Sequence, residues 1–300
     1  MALVTDIHTD TPSQATGYAG AVVTVLIWAA WMLATRQSAA TSLNSIDIGL
    51  IRFGIPALVL APVWWRTGLL PRGVPLRILL PMVAGSGIVF LHVAATALQV
   101  TPAGPAAILL GGAMPLATAL IGILLFGERP DRMRLLGLSG IVAGVAILLA
   151  GSLTGSGMTL GGLVLLPLGA LLWAGFTHAF RRSGLSALQG AAIIAAWSFL
   201  LNLPLVAVFG PHVTPASLAE LLPQVLRHGI LSGLVATLAY GTALRALGGS
   251  QAAAFTALTP VLATLGSGYL LGEPGGLTAL LAALVTGAGV ALSTGILSKS

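Results

Sequence analysis

The sequence predicts an all-α membrane protein, with ten transmembrane helices arranged as two inverted five-helix repeats. Three observations carry that prediction. Apolar residues make up 57% of the chain and charged residues 7%, with a mean hydropathy of +1.02. A soluble domain carries roughly 25% charged residues because its surface faces water, and a fold this poor in charge would expose large apolar patches. Apolar runs of about 20 residues, the length that crosses a hydrocarbon core, follow one another along nearly the whole sequence. Finally, residues of the first half recur in the second at one constant offset, Trp28 with Trp173 and Pro115 with Pro260.

Residues 1–16 carry Asp6 and Asp10 but no Lys or Arg, unlike the basic start of a secretory signal. They are read as a cytoplasmic tail. The apolar run from Gly17 to Thr35 exceeds the apolar core of a signal peptide and is read as a retained first helix. Hydropathy and breakers then place spans at 17–36, 47–65, 76–98, 103–126, 134–151, 160–180, 187–209, 226–247, 250–271 and 277–296. The connections are short and rich in Gly, Pro, Ser and Thr, as at 151–159, and none can hold a soluble domain. The first repeat is thus 17–151, the second 152–296, with a cytoplasmic tail at 297–300.

Lys and Arg collect on cytoplasmic loops. With the N-terminus inside, Arg66, Arg72, Arg77, Arg129, Arg132, Arg134, Arg181, Arg182, Arg245 and Lys299 fall on the cytoplasmic side. Arg36 and Arg227 fall outside, and Arg52 lies inside the second span. Both termini are then cytoplasmic. The net charge of +6 and pI near 11.1 reflect this topology and not a basic stripe for nucleic acid. The chain has no cysteine, which excludes disulfides, zinc thiolate sites and thiol catalysis. No metal site and no cofactor is expected.

The repeat is more than shared apolar composition. Pro115, Leu120, Leu125, Gly127, Glu128, Leu135, Leu136, Ala143, Gly144, Val145 and Ala146 recur as Pro260, Leu265, Leu270, Gly272, Glu273, Leu280, Leu281, Ala288, Gly289, Val290 and Ala291. Trp28, Ala29, Ala34 and Arg36 recur as Trp173, Ala174, Ala179 and Arg181. Each copy holds an odd number of spans, so the second is inserted upside down. Two inverted halves can exchange conformations and open a central site to either side in turn.

The Pro followed by Gly-Glu in each half (Pro115 with LLFGERP at 124–130, Pro260 with LLGEP at 270–274), Arg52-Phe53, and the Trp of each half's first span resemble the EamA family of the drug/metabolite transporter superfamily. The resemblance covers about residues 17–296, and overall the chain is most similar to the YddG-type exporters of aromatic and other amino acids. It implies a bacterial inner-membrane transporter whose cavity is lined by the first, third, fourth and ninth spans and their symmetry mates. An amino acid as small-molecule substrate, the lipid bilayer as surroundings, and a monomer or homodimer are the implied partners.

Few polar or aromatic residues lie at mid-span, where an ionisable group usually faces a cavity or a partner. Trp28 and Trp173 occupy matching positions and are read as two walls for a substrate side chain, with helix packing as the alternative. His92, on the third span, shares a helical face with Ala95, Thr96 and Gln99; His92 and Gln99 suit a carboxylate or ammonium, unless the histidine is bonded to a neighbouring carbonyl. Tyr240 of the eighth span and His178, nearer the cytoplasmic end, complete the candidate cavity. Arg52 is read as a gate or helix clamp before a carboxylate ligand, since it can snorkel outward. Pro115 and Pro260 interrupt backbone hydrogen bonding and are hinge candidates. For Glu128 and Glu273, helix capping is the preferred reading. Gly140 with Gly144 and Gly268 with Gly272 have the spacing of close helix packing.

No Asp or Glu lies mid-membrane, unlike the small multidrug exporters of the superfamily, and Arg52 alone does not make the cationic cavity of a phosphate-sugar exchanger. A neutral or zwitterionic substrate follows, exported either downhill or with histidine carrying protons. The alternatives are export of other metabolites or drugs, a passive channel, and an intramembrane serine protease built on Gly137-Leu138-Ser139-Gly140, which would need a base within hydrogen-bond reach. An enzyme is not expected.

Overall fold

The computed structural model of the chain describes residues 13–38, 43–152, 159–211, 218–273 and 276–293. Among them all regular structure is helical: α1 (Gln14–Ser38), α2 (Ser45–Val59), α3 (Ala61–Thr67), α4 (Leu76–Ser86), α5 (Ile88–Val100), α6 (Ala103–Phe126), α7 (Arg132–Ser152), α8 (Leu160–Ser183), α9 (Ala187–Phe209), α10 (Leu218–Gln224), a π-helical segment (Val225–Val235), α11 (Ala236–Thr256), α12 (Leu258–Leu271) and α13 (Gly276–Ser293). Among the described residues eight helical stretches are long and apolar enough to cross a membrane; the bent α2–α3 pair would make a ninth, and α12 is a shorter apolar helix. The tails at 1–12 and 294–300 and most of the 151–159 connection lie outside the described residues.

Local chemistry sets the element ends. Asn44 opens α2 with a capping box: its side chain accepts from Ile46 and Asp47 N–H, while Asp47 accepts from Asn44 N–H at 3.1 Å. Asp47 is therefore engaged by the helix start, five residues from Arg52. The predicted second span does not run straight. It turns by 72° at Leu60, where α3 begins. Pro62 lies in the first turn of α3, and its missing N–H and bulky ring prevent α2 from continuing unbroken. The third span breaks at Gly87, and Ile88 N–H, left without an intrahelical partner, donates to Ser198 Oγ on α9 at 3.2 Å. Gly127 and Gly272 end α6 and α12 with φ of 65° and 62°, a left-handed conformation that glycine adopts without strain.

The helix pairings obey a two-fold rule. α1 packs on α11 and α8 on α5; α6 packs on α8 and α12 on α1. Replacing each helix by its sequence-repeat mate converts the first member of each couple into the second. α7 packs on α13, and α2 on α9, so these pairs map onto themselves. The α7–α13 crossing is made by glycine. A Cβ on Gly289 would stand 2.5 Å from Ile141 N and 2.7 Å from Gly137 O, and one on Gly144 would stand 2.7 Å from Thr286 N. Gly144 and Gly289 are themselves repeat mates. Gly268 is different: a Cβ there meets nothing within 4 Å, so the Gly268/Gly272 spacing does not mark a packed interface. Gly272 serves as a helix end instead.

The two halves differ at one corresponding place. Thr101-Pro102 separates α5 from α6, because proline cannot continue the preceding helix. The matching stretch near 246–247 has no proline, and α11 runs through it to Thr256. The predicted eighth and ninth spans are thus not parted at 248–249; the break comes at Ala257. Pro260 then falls in the first turn of α12, where a missing N–H leaves no intrahelical bond unmade.

Candidate functional site

Where the halves meet, their aromatic side chains converge. Trp28 (α1) and Trp173 (α8) stand edge to face, ring centroids 5.8 Å apart. Tyr240 (α11) lies 5.2 Å from Trp28, and Phe90 (α5) 5.4 Å from Trp173. Trp31, one helical turn after Trp28, stacks on Phe90 at 6.4 Å and 25°. Phe176 continues the cluster at 5.2 Å from Trp173. Trp28, Trp173 and Tyr240 are only half-buried, whereas Phe90 is 4% exposed, so the first three retain accessible ring surface over a closed apolar floor. Edge and tilted ring contacts of this kind add about 0.5–1.5 kcal/mol each beyond area burial. Three residues chosen from sequence are thereby brought together. Trp31, Phe90 and Phe176 were not among the choices; the three-residue spacing of Trp28 and Trp31 signals a shared face, while nothing local marks Phe90.

The polar candidates are scattered. His92 Nδ1 lies 2.9 Å from Ser45 Oγ, at the start of α2. Next to it Asn202 (α9) donates to Ile46 O at 2.8 Å. Along the face reached from His92, Ala95 is buried but Thr96 and Gln99 are exposed, so that face leaves the interior towards its end. His178 Nε2 lies 3.0 Å from Thr118 O, and its ring is 5.0 Å from Phe126. It ties α8 to α6. Arg52 (α2) donates through Nη1 to Ser232 Oγ of the π-helical segment, and its guanidinium sits 5.1 Å from the Trp31 ring centroid. Pro115 is enclosed by the unbroken α6. Pro260 packs on α6 where Gly111 leaves room, 2.9 Å from the Cβ that residue lacks.

The two Gly-Glu motifs form ion pairs with the repeat-mate arginines. Glu273 meets Arg36 at 2.6 Å, with the side chains 11% and 29% exposed. Its other oxygen accepts from Ala103 N–H at 2.8 Å and Ser267 Oγ at 2.6 Å. Capping is therefore part of its role, but the helix capped is α6 of the other half, whose N-terminal dipole favours an anion. Arg36 also donates to the Leu98 and Gln99 carbonyls, at 3.2 and 2.6 Å, at the C-terminus of α5, where carbonyls lack intrahelical donors. At the opposite end Glu128 and Arg181 are 4.0 Å apart, with Arg181 68% exposed, and Arg134 reaches Glu128 at 3.5 Å. The carbonyls matching those that hold Arg36 belong to Ala243 and Leu244, inside the uninterrupted α11. One end is latched and the other loose.

Ser139 donates back to Leu135 O at 3.0 Å on an exposed position of α7. Among the described residues it has no histidine partner, as a serine nucleophile would require.

The sequence profile of the EamA-like transporter family matches the chain twice, over residues 15–150 and 160–295. The chain belongs to the EamA-like transporter family. It is a multi-pass membrane protein and a transporter of small solutes. Among solved structures 17 chains match. One, a crystal structure described only as that of a protein, is 21% identical over 96% of this chain and 99% of its own, with a TM-score of 0.62; that likeness concerns the fold alone. No curated protein matches. As an EamA-like transporter, the chain carries its aromatic cluster at the junction of the two family units.

Proposed function

We propose that the chain is a secondary transporter of the bacterial inner membrane that exports small neutral or zwitterionic metabolites, foremost amino acids with aromatic or other apolar side chains, by alternating access. In this reading the chain crosses the membrane ten times with both termini in the cytoplasm. Its halves, 17–151 and 152–296, are inverted copies about an axis in the membrane plane. The observation that carries the reading is the Trp28–Trp173–Tyr240 cluster, where side chains from both halves expose aromatic surface to one another. Aromatic surface receives an apolar side chain, and among the described residues no carboxylate stands beside it to select a cation.

Alternating access draws support from the unequal latches. Arg36–Glu273 closes the end assigned to the outside, while Arg181–Glu128 leaves the cytoplasmic end loose. In the opposite state the pairs exchange roles, as the two-fold pairing of helices permits. Purified protein in liposomes loaded with unlabelled L-phenylalanine should accumulate labelled L-phenylalanine transiently by counterflow. Flux proportional to concentration without counterflow overturns the carrier reading in favour of a channel. Counterflow with other metabolites but none of the amino acids overturns the substrate.

A further inference from the structure

Arg52 lies well inside a membrane-spanning helix, and the ion pairs among the described residues engage other arginines. A cation at such depth is costly unless an anion or a set of acceptors meets it. Arg52 has the Ser232 hydroxyl and the faces of Trp31 and Phe53, 5.1 and 5.9 Å from the guanidinium carbon. Two further polar groups around it are unpaired. Trp31 Nε1 is buried with no hydrogen-bond partner, and so are both ring nitrogens of His228, a residue with 0% exposure. Burying a polar group without a partner is costly, so such a cluster calls for a ligand that accepts hydrogen bonds.

The backbone is shaped to hold these groups together. His228 and Ser232 are about one turn apart in the π-helical segment, a rare geometry that recurs at functional sites. Gly229 and Gly233 let that segment come against α2. A Cβ at Gly229 would stand 3.0 Å from Ile51 O, and one at Gly233 would stand 2.5 Å from Arg52 O and 3.0 Å from His228 O. Ser232 is 2% exposed, while Arg52 is half-buried. Trp31 joins this corner to the aromatic cluster through Phe90.

We propose that Arg52, His228, Ser232 and the indole N–H of Trp31 anchor a carboxylate of the transported solute, so that the substrate is a monocarboxylate whose aromatic or apolar body lies along Phe90, Trp173 and Trp28. The assignment rests on the amino-acid reading above and narrows it: the carboxylate, and not the ammonium, is the group recognised inside the membrane. Arg52 offers a planar fork of donors that suits a carboxylate, and hydrogen bonds to a charged group are stronger than those between neutral groups.

The test compares three probes that share one aromatic body: L-phenylalanine, L-phenylalaninamide, which lacks the carboxylate, and phenylacetate, which lacks the ammonium. Binding to purified protein is read by intrinsic tryptophan fluorescence. The parent should bind both carboxylates about tenfold or more tighter than the amide, and Arg52→Gln should remove that preference, leaving amide affinity within about threefold. Ser232→Ala and His228→Gln should each reduce the preference by about threefold or more, and they carry the test if Arg52→Gln does not fold. A preference unchanged in all folded variants overturns the anchor, as does a parent that binds the amide as tightly as the acids. If L-phenylalanine counterflow persists in either case, the amino-acid reading survives the loss. If phenylacetate binds in an Arg52-dependent way while L-phenylalanine neither binds nor exchanges, the anchor stands and the amino-acid reading falls. Binding of none of the three overturns both.

Discussion

Trp173 touches Trp28, Phe90 and Phe176 at once, so its loss should act on the solute site more than on the fold. Trp173→Ala is expected to lower L-phenylalanine counterflow about tenfold or more, the equivalent of two or three ring contacts, with the purified protein still monodisperse. Trp173→Phe should retain most of the flux, and parent-like kinetics in Trp173→Ala would remove the residue from the site. His178 belongs to another class. Its ring nitrogen bonds Thr118 O and it is 6% exposed, so His178→Ala should lower stability by about 1–3 kcal/mol, through the lost hydrogen bond and the cavity left behind, and leave substrate affinity unchanged. Both histidines read from sequence turn out to be held by neighbouring elements. A sequence shows that a polar residue lies deep in a span but not which carbonyl or hydroxyl another helix brings to it.

At the scale of elements, the Gly-Glu motif has a physical explanation that holds in both halves. Glycine ends the helix in the left-handed region, and the next residue turns back, with Glu128 N–H bonding Gly122 O at 3.0 Å and Glu273 N–H bonding Ser267 O at 3.2 Å. The glycine spacing is a poorer guide, because two similar patterns have opposite surroundings. Gly289→Leu is expected to disrupt the α7–α13 crossing, since even a Cβ would press on backbone atoms that cannot move aside, and to cost well over 2 kcal/mol in thermal unfolding. Gly268→Ala should be neutral or stabilising by up to about 1 kcal/mol, because it adds helix propensity where nothing is close. Equal effects of the two changes would contradict this packing. The boundary at Ala257 and the bend at Leu60 were illegible in hydropathy, which averages over windows longer than a single kink. Pro62 and Pro260 lie in the first turns of the helices that follow these two breaks.

For the whole molecule, the consequential feature is the inequality of the two latches. Arg36–Glu273 is short, largely enclosed, and supplemented by two helix termini; Arg181–Glu128 is long and exposed. A double-mutant cycle on thermal unfolding is expected to give a coupling of about 1–3 kcal/mol for the first pair and about 0.5 kcal/mol or less for the second. Equal couplings would mean that the ends are equally closed. Because the chain has no cysteine, single cysteines can report which end opens. Glu273→Gln should increase labelling of a cysteine placed at Leu98, which is 0% exposed beside the Arg36 latch, and Glu128→Gln should leave it unchanged.

The membrane class, the two-unit organisation and the family followed from the sequence by itself, because hydropathy, repeat offset and helix-end residues are local properties. Trp28, Trp173 and Tyr240 were found the same way, as aromatic side chains at mid-span. Tertiary structure decided what each polar group is for. Glu273 was read as a helix cap, and the structure gives it α6 as the helix capped and Arg36 as its ion-pair partner, while Arg52 found Ser232 and the unpaired His228 on a segment 180 residues away. Such partners are set by how helices cross, and crossing depends on summed contacts over many residues that no local pattern records.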